Sequence, residues 1–488
     1  MTTISARSTQ LIEKILTYHK ISVPFEDLLS KHTFLHTSHG TSANPVVQQS
    51  YHIDTIPPEG IVLNKCGCYE FTKDIDWNPT DNVAITLSAD NIVLDLGGFT
   101  LKSLDQVRKT VAIHGQNIKN VKIINGTLLN FVFKGINIDG YSNVVVKDIV
   151  VDGLSWKQIG DPNVNTPVGV FLTDGTRSTI KRVTVKNIEV KTDSSAAIQV
   201  VQSDDVFISK CKVENYVNQD GSVQGFSTIL VENGCVKYCR AYNLESFFNG
   251  NIETAGHTVL GFIPIFCFGM HYTKCKAANL FGCCDDVHGM SIFINSYVTV
   301  RHFKARNVID GFSTNVGAKA TGLEIYGSNI KIYDSHVKDI KAINPQDLQA
   351  TGFSSAQGSN IKYIRCKAEN VIVVDEFGKE NSCLGYGTGF GWAPDPRPLF
   401  TFPIVNVLYL DCVAKNCQVG FDSWYHIDSR WENIVSYHCG ISILNLVNSV
   451  RTLTCTPCSE CIIPLVTTLN NVAKGNKFRN VKAVYSRC

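Results

Sequence analysis

Ile208-Ser-Lys-Cys211-Lys-Val-Glu-Asn215 is followed by Val236-Lys-Tyr-Cys239-Arg-Ala-Tyr-Asn243 and then by Tyr272-Thr-Lys-Cys275-Lys-Ala-Ala-Asn279. The shared pattern is an apolar residue, two polar ones, a small or apolar position that is often Cys, a polar residue, Ala or Val, any residue, then Asn. Further copies end at Asn187, Asn307, Asn370 and Asn416, with Asn130 and Asp339 as variants. A second Asn stands six residues before the Cys position at Asn120, Asn143, Asn233, Asn329, Asn360 and Asn406, with Asp205 as a variant. Gly followed by an apolar residue stands fourteen before it at Gly135, Gly169, Gly225, Gly261, Gly289 and Gly352. Three markers in fixed register define a repeat, and a repeat must be recognised before domains are counted.

Short alternating runs such as Val144-Val-Val-Lys-Asp-Ile lie between the markers and read as strands. Joined by single Asn or Gly turns, they suit a coil that climbs one strand spacing, about 4.8 Å, per turn. Equivalent residues then stack, and the Asn amides form hydrogen-bonded ladders. The fold expected is an all-β parallel β-helix of about a dozen coils over residues 55–454. A small helical cap and linker is expected over 1–54, from the helical spacing of Leu11, Ile12, Ile15 and Leu16, and a C-terminal cap with the last coil over 455–488. Cys211, Cys239, Cys275, Cys366 and Cys412 share one position, beside Val183, Phe303 and Ile149 in other coils, so they are expected inside as small apolar residues. Cys455, Cys458 and Cys461 have metal-like spacing without a second paired knuckle, which favours a packed cap over zinc.

The 488 residues carry 45 Lys plus Arg against 43 Asp plus Glu, a net charge of +2. Composition therefore gives no pull toward nucleic acid or an anionic membrane. No apolar run reaches the roughly 20 residues that span a bilayer. The first 20 residues do not read as a secretory signal, so cytoplasmic synthesis is expected, with incorporation into a virion or coat as one destination.

The opening segment Asp90-Asn-Ile-Val-Leu-Asp-Leu-Gly-Gly-Phe-Thr-Leu101, preceded by Gly67-Cys-Tyr-Glu-Phe71, resembles the first coil of right-handed parallel β-helix proteins of the pectate lyase and polygalacturonase-like superfamily. The resemblance implies right-handedness and a polysaccharide partner. That superfamily includes hydrolases, lyases, epimerases and non-enzymatic virion or adhesion parts, so it leaves the activity open.

The spacing from Gly to the terminal Asn is nearly constant, so length variation falls between that Asn and the next Gly. Insertions then line one lateral edge, where a rigid scaffold usually carries its sites. Period-two alternation puts Asn137, Gln199, Ser291, Glu324, Ser354 and Asp422 in one outward stripe. Beside it lie Asp285, Asp286 and His288, then Lys319, then Gln349. Asp285, Asp286 and Glu324 could supply the two carboxylates that flank a glycosidic bond, with His288 holding sugar or tuning a pKa. A lyase or epimerase would instead use a base such as Lys319, with no cofactor beyond a Ca²⁺ held by Asp285 and Asp286. The plain alternative is that these acids cap turns. Trp392, Trp424 and Trp431 near the edge offer flat faces for sugar, with burial as the competing reading. A carbohydrate-active protein is the leading expectation; a structural surface protein with glycan adhesion, trimeric along its flanks, is the alternative.

Overall fold

A computed structural model describes residues 49–484, apart from 157–165, 248–256, 283–285, 312–318, 344–347, 376, 378, 381–384, 392–403, 424–425, 440, 445–450, 455–461 and 466–475. Among these residues every ladder is parallel except that of Arg451–Thr454 with Ile462–Leu465, plus one antiparallel bridge between Val374 and Glu380. Each strand pairs with its equivalent one repeat earlier and one repeat later. Val185 lies beside Val213, Val213 beside Ala241, Ala241 beside Ala277, and Ala277 beside Ala305. This is a parallel β-helix.

The N-terminal boundary differs from expectation where it is described. Residues 1–48 of the expected helical cap lie outside the described residues, and no helix occurs among those described. Ser50–Ile53, assigned to a linker, is a strand paired with Gly67–Phe71, and Tyr51 stacks on Tyr69 with centroids 4.7 Å apart. The coil thus begins before residue 55, because an aromatic there finds an aromatic on the next rung. At the far end Lys477–Arg479 and Lys482–Val484 continue the ladders of Arg430–Glu432 and Val435–Tyr437. The Cys455 to Cys461 triplet lies outside the described residues.

The interior follows the register. Cys211, Cys239, Cys275, Cys366 and Cys412 are at most 1% exposed, as are Val183, Phe303 and Ile149 at the same position. Burial pushes the Cys275 thiol up to about 12, which makes it an inert small apolar group. Aromatics stack in columns: Phe353, Phe390 and Phe421 in one, Tyr363, Tyr409, Trp431 and Phe478 in another. Trp431 is fully buried in its column, which settles its competing readings in favour of burial.

Turns are held by amide ladders. Asn215, Asn243, Asn279 and Asn307 each donate an Nδ2 hydrogen to the Oδ1 of the Asn one coil before, at 2.9–3.1 Å. Asn120, Asn143, Asn360 and Asn406 do the same at the other marker. All sit at φ of 52–61°, the left-handed region that Asn tolerates better than most residues. Asn279→Ala would remove two ladder hydrogen bonds and put a Cβ-only residue at φ 56°. The expected cost is about 1–2 kcal/mol, read as a lower urea midpoint at unchanged m-value.

The Gly marker has a different cause. A Cβ on Gly289 would come 2.5 Å from the Gly322 carbonyl oxygen of the next coil and 2.6 Å from the Ala305 Cβ across the interior. The Gly marker and the Ala or Val two residues after the Cys position are thus one constraint. The coil is thin there, and both walls need small residues.

Candidate functional site

The thin point also redirects side chains. Val287 and Met290 both face the core, as do Ala320 and Leu323, so alternation skips a step at Gly289 and Gly322. The outward positions become three and one residues before the Gly and two and four after it. Adjacent strands Asp286–Ser296 and Lys319–Ser328 pair Asp286 with Lys319, His288 with Thr321 and Ser291 with Glu324. The skipped step brings the residue before Gly289 against the residue two after Gly322.

Four of the expected residues converge there. His288 Nδ1 lies 3.4 Å from Glu324 Oε2, and His288 Nε2 lies 3.8 Å from Asp286 Oδ2. Lys319 Nζ is 2.5 Å from Glu324 Oε1 and donates at 3.2 Å to the hydroxyl of Tyr326, which the sequence reading missed. Tyr326 stands four residues after Gly322, one alternation step beyond the stripe that was read. All five side chains belong to residues no more than 6% exposed. Asp285 lies outside the described residues, and so do Trp392, Trp424 and the vicinal pair Cys283 and Cys284. Gln349 occupies the rung beside Lys319. Asp422 belongs to the same stripe but is fully buried three strands beyond Glu324, so it does not join the cluster.

The register of the outward stripe holds: Asn137, Phe171, Gln199 and Ser227 succeed one another, as do Ser291, Glu324 and Ser354. Its solvent exposure does not. Ser227, Ser291, Glu324 and Ser354 are buried, because alternation tells which side faces away from the core and not what covers it. Two residues further along lies a second apolar cluster outside the coil, with Val201, Ile229, Ile265, Phe293, Tyr326 and Ala356. The acid and base groups sit at its margin, with Phe293 and Tyr326 rings 5.0 Å apart.

The connections leave and return along one edge, as the constant spacing implied. Strand ends Gly282, Asp310 and Ala342 follow one another in register, and so do the returning Asp286, Lys319 and Gln349. Chemically, the cluster alternates acid and base: Asp286, His288, Glu324, Lys319. The imidazole lies between the two carboxylates and an ammonium occupies one of them. That is not two carboxylates facing each other across an open gap, as a two-carboxylate glycosidase requires. Among the described residues no cluster of three or more metal-ligating side chains has the geometry to hold a metal ion.

No family model matches this chain, and no curated protein does. Several solved structures are similar to it. One is the catalytic domain of a GH87 α-1,3-glucanase in complex with tetrasaccharides, 12% identical, covering 92% of this chain and 68% of that one at a TM-score of 0.43. Another is a mannuronan C-5 epimerase A-module from Azotobacter vinelandii, 10% identical, covering 73% and 88% at 0.35. A third is a polygalacturonase from Erwinia carotovora, 11% identical, covering 84% and 100% at 0.33. They are of the pectate lyase and polygalacturonase-like kind that the opening coil resembles. Likeness this distant assigns this chain neither fold, substrate nor chemistry, and its architecture rests on its own ladders.

Proposed function

We propose that this right-handed coil of about a dozen turns is a carbohydrate-active protein that binds a polysaccharide along the edge where the connections leave the coil and acts on it by proton transfer. The observation that carries the reading is the convergence of Asp286, His288, Lys319, Glu324 and Tyr326 from two consecutive rungs. In this reading His288 moves the proton, oriented by Asp286 and Glu324. Lys319 supplies a cation for an acidic group on the sugar, and the Tyr326 hydroxyl protonates the opposite side. Elimination or epimerisation at a uronate C5 asks for this set of groups, since both begin by removing a carbon-bound proton beside a neutralised carboxylate.

The burial of all five residues favours a second reading, in which the network closes one face of a durable, non-enzymatic coat or surface protein. A panel of neutral and uronate polysaccharides separates the two. Ultraviolet absorbance reports unsaturated products, reducing-end assay reports cleavage, and proton exchange at C5 reports epimerisation. Wild type is expected to turn over a uronate polymer, with Asp286→Asn impaired and His288→Gln slower by at least about 100-fold. No turnover and no sugar binding by any variant would sink the enzyme reading. Reducing ends without unsaturation would return the site to hydrolysis.

A further inference from the structure

The strand after the Cys position opens with an outward residue, and over six consecutive rungs that residue is basic. Lys212, Arg240, Lys276, Lys304, His336 and Lys367 are direct register partners in that order. The run has ends: Thr184 stands before Lys212 and Val413 after Lys367. Partners on neighbouring strands lie about 4.8 Å apart, and like charges directly opposite destabilise a sheet. In water two such charges repel by about 1 kcal/mol. With a net charge of only +2 the chain has no excess of base to dispose of, so this is segregation.

The ends of the column are neutralised and the middle is not. Glu214 pairs with Lys212, and Glu369 pairs with Lys367 and Lys338. Among the described residues, Arg240, Lys276 and Lys304 have no carboxylate in ion-pairing range. His336 lies 3.5 Å from Glu369, yet its pKa falls below the ordinary value, first through burial and then through Lys367, opposed by Glu369 and reinforced by Lys304 and Lys338. An aromatic ring stands beside the middle of the column: Tyr242 lies 5.3 Å from Lys276 Nζ.

We propose that this column is a binding site for a linear anionic glycan lying parallel to the coil axis, with one acidic sugar per rung. The rung spacing is close to the length of one sugar in an extended chain. Duplex nucleic acid presents one phosphate per strand about every 3.4 Å of helix axis, on strands that wind away from any straight line, so a straight column matches it poorly. The column belongs to a different strand of the coil from Asp286–Ser296 and does not depend on the chemistry assigned there.

The test uses the full chain, with heparin and polygalacturonate as probes, dextran as the neutral glycan and a single-stranded oligonucleotide of equal charge. Wild type should bind either anionic glycan, more weakly as salt rises. Arg240→Glu with Lys304→Glu should weaken that binding at least about tenfold, with a shallower salt dependence. The charge-matched Lys73→Glu with Lys122→Glu should leave affinity within about twofold. Arg240→Gln with Lys304→Gln repeats the test without new charges, and thermal midpoints check folding. The proposal falls if wild type binds neither anionic glycan at low salt, if both charge-reversed pairs lose equally, or if dextran or the oligonucleotide binds as well as the anionic glycans.

Discussion

Replacing Lys319 by methionine is expected to destabilise the fold by about 3–5 kcal/mol, because removing one partner of a buried ion pair leaves the other charge without compensation. Lys319 Nζ stands 2.5 Å from Glu324 Oε1, and both side chains are 3% exposed. Methionine keeps the volume of the lysine stem, so the loss reports the charge and not a cavity. The carboxylate left behind would share its site with Asp286 and the margin of the apolar cluster around Phe293 and Tyr326. The double variant Lys319→Met with Glu324→Leu is expected to recover most of the loss, since a buried pair replaced by apolar groups of similar size is often neutral or better. Urea midpoints for the two singles and the double complete the cycle. A loss below about 1 kcal/mol for Lys319→Met would mean that water reaches the pair, and would place the cluster in an open site.

Much of the coil was legible because its constraints act on residue type. Asn recurs where the backbone is left-handed and amides can stack, and Cys recurs where the interior admits a small apolar group. Two further corners escaped notice because nothing in their residue types announces them. Arg182, Lys210, Tyr238, Lys274 and His302, each just before the Cys position, have φ of 52–57°, and Leu230, Phe266 and Ile294 have φ of 49–53°. Such residues cost about 1 kcal/mol or more each in that region, and the stacked ladders on either side impose it. The candidate site was half legible. Asp286, His288, Lys319 and Glu324 were named from their place beside the Gly marker, while Tyr326 lay one alternation step beyond the stripe, where an aromatic reads as packing and not as chemistry. Charge shows the same limit from the other side. A sum of +2 conceals a six-rung basic column that appears only once the register says which lysines are neighbours.

Phe390→Ala is expected to cost about 3–5 kcal/mol, the usual penalty for emptying a fully buried aromatic site. Phe390 is fully buried, stacked between Phe353 at 4.9 Å and Phe421 at 5.0 Å, and edge-on to Tyr363 and Tyr409. Aromatic pairs of this kind add about 0.5–1.5 kcal/mol each beyond the area they bury. The flanking rungs cannot collapse into the gap, because each is fixed by parallel ladders at its own height. In a solenoid, stability is a sum of rung and nearest-neighbour terms, so the damage should be directional. Hydrogen exchange of the variant is expected to accelerate first in the strands from Ile404 to Tyr437, while Val111–Leu129 and Lys134–Asp152 keep their protection. Phe390→Leu, which retains most of the volume, should lose less than about 1.5 kcal/mol. Uniform acceleration along the whole chain would show instead that the coil unfolds as one cooperative unit, and coupling between rungs would then extend beyond nearest neighbours.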